Sequence, residues 1–451
     1  MNRFCSDWVM RIVMRNHGMK KRMTLSRLCR KMLAVHSLLP AFVLCFSLTC
    51  CAGQQETEKP DLSEIQLSVK AEEMIRTMTD QEKAAQLFVI TPEALTGVSG
   101  VTAAGEITQN AFASCPVGGL IYDESNLLSW NQACQMLSSM NQISVDRTGL
   151  PAFLAVDEEG GNVRRVSGRL ENAPYIPDML SVGATQDPLQ AYQAGSAIGG
   201  YLSRLGINVD FAPVADVLTN PENTVIGNRS FGSDPAQVAG MVALEVQGLR
   251  EQGIAAALKH FPGHGNTSED SHVGLAVSNR TLEELKGCEF LPFESGIDAG
   301  AEFVMAGHIV VPGVTEEGVP ASLSHIMLTE ILRGELGFQG IIVTDALSMG
   351  AVTGLYSSEE AAVQAILAGA DLLLMPADFH AAYNAVLDAV ENGTISRERL
   401  DESLRRIILL KLRMLESSSQ EVMQAENIRQ LPDDPGDESL EESQEGFIVE
   451  E

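Results

Sequence analysis

The stretch Ala255-Ala256-Ala257-Leu258-Lys259-His260 is apolar for four residues and then ends on a lysine and a histidine. A short run without polar alternation suits a strand buried on both faces, as in a parallel sheet. Such a strand has no use for two ionisable groups at its end unless that end opens onto a site. Comparable runs recur at Ala85–Ile90, Gly118–Tyr122, Ala152–Val156, Val209–Pro213, Phe303–Ala306, Ile341–Thr344 and Leu372–Met375. Helical patterns separate most of them: Pro188–Leu205, Ala236–Gln252, Leu282–Ala299, Ser324–Leu336 and Ser358–Leu367, with an amphipathic Arg397–Leu415 last. Eight β-then-α units in succession predict an α/β fold of the (β/α)8, TIM-like barrel type, as a single domain over residues 66–415. The rival on pattern alone is a doubly wound sheet.

Barrels of this kind place their chemistry at the C-terminal ends of the strands. The residues found there are Asp157-Glu158-Glu159-Gly160-Gly161, Asp216, Lys259-His260, Gly307-His308 and Thr344-Asp345. They are polar or ionisable where a closed core would be apolar. Glu158 and Glu159 invite reading as a carboxylate pair, but neighbours on a strand point to opposite faces.

The chain of 451 residues carries a formal charge of −29, and its first fifty residues are basic, so the remainder is more acidic still. An acidic body repels phosphate backbones, which argues against a nucleic-acid partner. Lys20-Lys21-Arg22 through Lys31 followed by the apolar Met32–Thr49 reads as a secretion signal. Its ending, Leu48-Thr49-Cys50-Cys51, resembles a bacterial lipobox with Cys51 as the lipidated residue. The expected organisation is therefore an anchor segment over 1–51, a polar tether over 52–65, the barrel, and a disordered acidic tail over 416–451. It implies an extracytoplasmic protein held to the membrane through an N-terminal lipid; a monomer is expected. Beyond the anchor only Cys115, Cys134 and Cys288 remain, an odd number without metal-ligand spacing. At most one disulfide is available to them, and no metal site or cofactor is expected.

The densest cluster of chemistry is Lys259-His260-Phe261-Pro262-Gly263-His264-Gly265, with Asp270-Ser271-His272 shortly after. Pro262, Gly263 and Gly265 indicate a loop with special backbone angles. Within it, Asp-x-His suits a carboxylate that orients an imidazole and raises its basicity. This signature resembles that of the family 3 glycoside hydrolases, in their β-N-acetylhexosaminidase branch. Asp157-Glu158-Glu159-Gly160-Gly161-Asn162-Val163-Arg164-Arg165, Phe211–Asp216, Gly227–Gly232 and Val343–Met349 resemble further segments of that family, in order.

The resemblance implies a retaining hydrolase of terminal β-linked N-acetylglucosamine, for example from peptidoglycan fragments. It implies Asp345 as nucleophile, His272 as acid/base and Asp270 as its partner. Asp157, Arg165, Arg229, Lys259 and His260 would hold the carbohydrate substrate. His264, His308, Asp210 and Asp216 are expected in supporting roles. Ala346 departs from the polar residue expected after the nucleophile. A neutral imidazole in place of a second carboxylate repels an anionic acceptor less, so phosphorolysis is the variant to weigh. A β-glucosidase of the same family would take its acid from another domain, and the Asp270-Ser271-His272 loop argues against that. A metal-dependent barrel hydrolase would need a His-x-His pair on an early strand, which the sequence lacks. The fourth reading is a wall-binding lipoprotein without catalysis, and the joint presence of Asp345, His272 and Asp270 speaks against it.

Overall fold

The computed structural model describes residues 62–268 and 274–429, the last twelve of these as backbone only. Cys51, Asp270 and His272 lie outside the described residues. Eight strands form one wholly parallel sheet: β1 (Phe88–Ile90), β2 (Gly119–Ile121), β3 (Phe153–Val156), β4 (Val209–Asp210), β5 (Ala255–Phe261), β6 (Phe303–Ala306), β7 (Ile341–Thr344) and β8 (Leu373–Leu374). Every residue in them is buried. That explains why the runs are apolar throughout instead of alternating.

The spatial order follows the chain, β1 through β7, with β8 beside β1. Register pairs run from Gly119 with Phe153, through Ala155 with Val209 and Val209 with Ala255, to Phe303 with Ile341. A bridge between Val343 and Leu372 joins β7 to β8, and Phe88 pairs with Leu373. The ring is therefore closed, as the eight-unit pattern predicts, and the doubly wound alternative falls.

Helices follow the strands and cover the outside. The helix Pro188–Leu205 begins on an Asp187 cap with proline in its first turn and stops at Gly206, whose φ of +95° suits glycine. Pro235–Arg250 starts in the same way from Asp234. Three expectations are corrected. The pattern over 282–299 is two helices, Leu282–Gly287 and Phe290–Asp298. The break tucks Glu289 under Gly263, with its carboxylate on Arg280 Nε at 3.1 Å. The segment Ile326–Glu335 is helical but wound as a π-helix, which periodicity alone does not distinguish. The ends of the domain also move outward. A first helix, Leu62–Thr77, starts within the stretch read as tether because Leu67, Ala71 and Ile75 bury one face. The last helix, Arg397–Arg429, continues past 415 into the stretch read as a disordered tail.

Cys115, Cys134 and Cys288 are all free thiols. No described helix is long and apolar enough to cross a membrane.

The closing strand is fastened by Asp371, which is fully buried just before β8. Its carboxylate accepts from Ile342 N of β7 at 2.9 Å and from Ser403 Oγ and Arg406 Nη1 of the last helix at 2.7 and 3.1 Å. Arg333 of the π-helix donates to it as well. One side chain thus ties the last strand, the strand before it and two helices. Asp371→Asn is expected to lose about 3–5 kcal/mol of unfolding free energy, because it leaves buried guanidiniums without their counter-charge. Urea denaturation at neutral pH measures it.

Candidate active site

The C-terminal ends of the strands open into one mouth. Strand β3 ends at Val156 and is followed by Asp157 and then by the short strand Glu158–Gly160, which pairs antiparallel with Val163–Arg164. The two glutamates diverge, as strand geometry requires. Glu158 turns into the protein, where its carboxylate accepts from Val166 N, Ser167 N and Tyr201 Oη at 2.7, 2.9 and 2.6 Å. Glu159 turns toward β5.

There it meets Lys259, whose Nζ lies 2.6 Å from Glu159 Oε1 and 2.6 Å from Asp157 Oδ1. Arg229, from the loop after β4, grips the same Glu159 with both edges of its fork, Nε to Oε2 at 2.8 Å and Nη2 to Oε1 at 2.7 Å. Glu159 is buried; burial would raise its pKa, but Arg229 and Lys259 outweigh it and hold the carboxyl far below the ordinary range. Burial likewise works against the charge on Lys259, and Asp157 and Glu159 reverse that and raise its pKa. The four groups form a fixed set of two cations and two anions. Asp157 is its most exposed member.

His260 stands beside them. Asp216, fully buried, receives His260 Nδ1 at 2.8 Å and also the backbone N–H groups of His260 and His264, the latter at 2.6 Å. Asp216 stays ionised: burial opposes this, and His260 and His264 lower its pKa below the usual value. With Nδ1–H given to Asp216, Nε2 of His260 is left as an acceptor facing Arg229 Nη2 at 3.3 Å. The ladder from β5 to β6 shifts register between Leu258 and Phe261, and Lys259 and His260 lie within that irregularity. The glycines of the loop are there for space. A Cβ on Gly265 would come within 2.1 Å of the Val217 carbonyl oxygen, so the loop can lie on the β4 extension only with glycine there.

Asp345, directly after β7, is partly buried in the same mouth. Its backbone N–H donates to Ala306 O, and its Oδ1 accepts from Ala346 N at 2.8 Å. Burial would push its pKa up; His308 and His260, then Ala346 N–H and Lys259, prevail and lower it. His308 is buried, with Nδ1 2.7 Å from Ser322 Oγ and Nε2 3.0 Å from Ala346 O. It thereby steadies the residue after Asp345, and the small Ala346 contributes through its carbonyl.

The structure therefore brings together Asp157, Arg229, Lys259, His260 and Asp345. Arg165 stands apart on the rim, where its Nε is 3.3 Å from Asp123 Oδ1. Two residues were missed by sequence reasoning. Asp123 follows the apolar run of β2 directly, so the strand-end rule that singled out Asp157 and Asp345 selects it too. Glu159, which strand alternation argues against as half of a carboxylate pair, is the buried hub of the array. Among the described residues no cluster of three or more His, Cys, Asp or Glu is arranged to hold a metal ion.

A parallel barrel with an ionised carboxylate at one strand end and a charged array at the others has the groups of an enzyme's active site, placed where this fold carries its chemistry. The family described as "Glycosyl hydrolase family 3 N terminal domain" matches residues 79–410, and the chain belongs to that family. It is similar to Beta-hexosaminidase A of Pseudoalteromonas piscicida, 35% identical over 327 residues, which cover 67% of this chain and 54% of that protein. The chain thus spans about half the length of that relative. Beta-hexosaminidase LpqI of Mycobacterium tuberculosis is 34% identical over 344 residues, covering 74% of this chain and 83% of that one. The solved structure of a family 3 beta-N-acetylglucosaminidase from Paenibacillus sp. str. FPU-7 superposes with a TM-score of 0.71 at 38% identity, covering 75% of this chain and 63% of that chain.

Glu159→Gln tests the array through stability. A carboxyl whose folded pKa is depressed contributes stability above its unfolded pKa and loses it as pH falls toward the folded value. The gap in urea midpoint between wild type and variant is expected to be full above about pH 5 and to narrow below about pH 4. A gap independent of pH would assign the loss to packing instead.

Proposed function

We propose that the chain is a retaining β-N-acetylhexosaminidase that removes terminal β-linked N-acetylglucosamine through a covalent intermediate on Asp345. The observation that carries this is Asp345 itself: a carboxylate kept ionised at the end of β7, in one mouth with Asp157, Lys259, Glu159 and Arg229. The similarity to beta-hexosaminidases favours the hexosaminidase part of this reading.

In the first step Asp345 attacks the anomeric carbon while His272 protonates the departing glycosidic oxygen. The bond to the leaving group breaks and a glycosyl ester on Asp345 forms. In the second step His272 takes a proton from water, the water attacks the same carbon, and Asp345 is released as carboxylate. Asp270 orients His272. An imidazole suits this exchange because its pKa lies near neutrality without the burial that a carboxylic acid needs.

Asp157, the exposed member of the array, accepts from sugar hydroxyls. Lys259, Arg229 and His260, held in place by Glu159 and Asp216, present N–H groups and a ring edge to the sugar and its acetamido group, and Arg165 closes the rim. No cofactor enters the reaction. The acidic body suits an uncharged glycan and disfavours nucleic acid. Lipidation at Cys51, an extracytoplasmic location on the membrane and a monomeric state complete the proposal.

The test is chromophore release from an aryl β-N-acetylglucosaminide beside the matching β-glucoside, with and without phosphate. Turnover of the acetamido sugar alone is expected. Asp345→Asn should reduce it by about 10⁴-fold or more. His272→Ala should reduce it by about 10²–10⁴-fold, with the larger loss for poorer leaving groups, since those need the proton most. Acceleration by phosphate would replace hydrolysis by phosphorolysis. Failure of well-folded protein on both sugars would leave a binding protein.

A further inference from the structure

At the opposite end of the barrel from the mouth, the N-terminal ends of β6 and β7 border a cavity of about 390 Å³. Its walls include Arg250 from the helix after β4, and Arg405, Arg406 and Arg413 from the last helix. Glu302 is the one carboxylate among the lining residues, and Gln339 adds an amide. Four guanidiniums around one recess run against the charge of a chain at −29.

Each of these arginines has an acid partner, but none is used up by it. Arg405 donates only through Nε, to Glu72. Arg406 uses Nη1, on Asp371 and Glu402 O. Arg250 uses Nε on Glu302 and Nη1 on Ala299 O, and Arg413 uses Nε and Nη2 on Glu64. A guanidinium carries five N–H donors in a planar fork. Nη2 of Arg250, both terminal nitrogens of Arg405, Nε and Nη2 of Arg406 and Nη1 of Arg413 keep donors to spare among the described residues. Room for one of them is built into the backbone. A Cβ on Gly300 would lie 2.5 Å from Arg250 Nη1, so glycine there lets that side chain lie across the chain.

We propose that this cavity is a binding site for a phosphate-type oxyanion, either free phosphate or the phosphate of a lipid headgroup. Several forks converging on one recess match tetrahedral oxyanions, which accept paired N–H···O bonds from each guanidinium. The three arginines whose exposure exceeds two-fifths, Arg250, Arg405 and Arg413, remain hydrated, so the anion need not be stripped of all its water to reach them. Its oxygens take up N–H donors that the acid partners leave unused. Binding there ties the last helix to the helix after β4 and stiffens the base of the barrel.

Inorganic phosphate is titrated into the purified chain by calorimetry, at an ionic strength held constant with chloride. One saturable site is expected, with a thermal midpoint that rises as the site fills. Arg405→Gln with Arg413→Gln is the test variant, because both partners are half-exposed surface pairs whose loss barely affects folding. It should bind phosphate at least about tenfold more weakly while its turnover of the aryl glycoside stays at the wild-type level. That last readout separates this cavity from any phosphate taken up in the mouth. Sedimentation with phosphatidylglycerol vesicles, against phosphatidylcholine alone, distinguishes the source. Retention by the anionic vesicles that the double variant loses assigns the site to a headgroup, and tight free phosphate without retention assigns it to a soluble anion. Equal affinity in wild type and variant, or no saturable binding in either arm, overturns the proposal.

Discussion

Lys259 Nζ, buried and 2.6 Å from each of two carboxylates, is the contact from which the rest of the mouth takes its geometry. A lone ammonium in that position would lose its hydration without return, and two lone carboxylates would repel each other and gain protons. Together they are stable only as a set, and Arg229 completes it by closing on Glu159 from the other side. The array therefore resists any change of one member. Because β3, β5 and the loop after β4 each contribute one part, the barrel must be closed and in register before the array can form.

The same logic governs the imidazoles. Asp216 receives one ring nitrogen and two backbone N–H groups, so His260 is held in one tautomer and the start of the loop is fixed with it. Opposite, His308 bonds to the Ala346 carbonyl next to Asp345. Neither residue needs to touch a sugar to matter. Each sets the direction of a neighbour that is close to one, His260 through Arg229 and His308 through the Ala346 carbonyl. At the base of the barrel a single aspartate, Asp371, likewise gathers arginines from separate helices.

Much of this was legible in the sequence because burial on both faces leaves a plain signature. All eight strands coincide with short apolar runs, and the helix Pro188–Leu205 has the bounds that its aspartate, proline and glycine mark out. The ionisable residues at strand ends were legible for the same reason, as interruptions of a pattern. What was not legible depends on partners distant in the chain. Glu159 is polar on paper, and its role exists only once Lys259 and Arg229 arrive from far downstream. The divergence of Glu158 from Glu159 was read correctly, yet it hid that one of the two faces the site. Likewise the break at Cys288 answers to Glu289 packing beneath Gly263, and the first helix packs through a face of Leu67, Ala71 and Ile75 that pairs only with distant parts of the fold.

The three cysteines of the domain have a practical consequence. None is bridged, and burial pushes the thiols of Cys115 and Cys288 up to about 11, which leaves them almost entirely protonated at neutral pH. Such thiols are poor nucleophiles toward disulfides and peroxides. The described barrel is therefore built without a disulfide bond among these three residues. No disulfide catalyst is needed to form it, and packing and ion pairs hold it together.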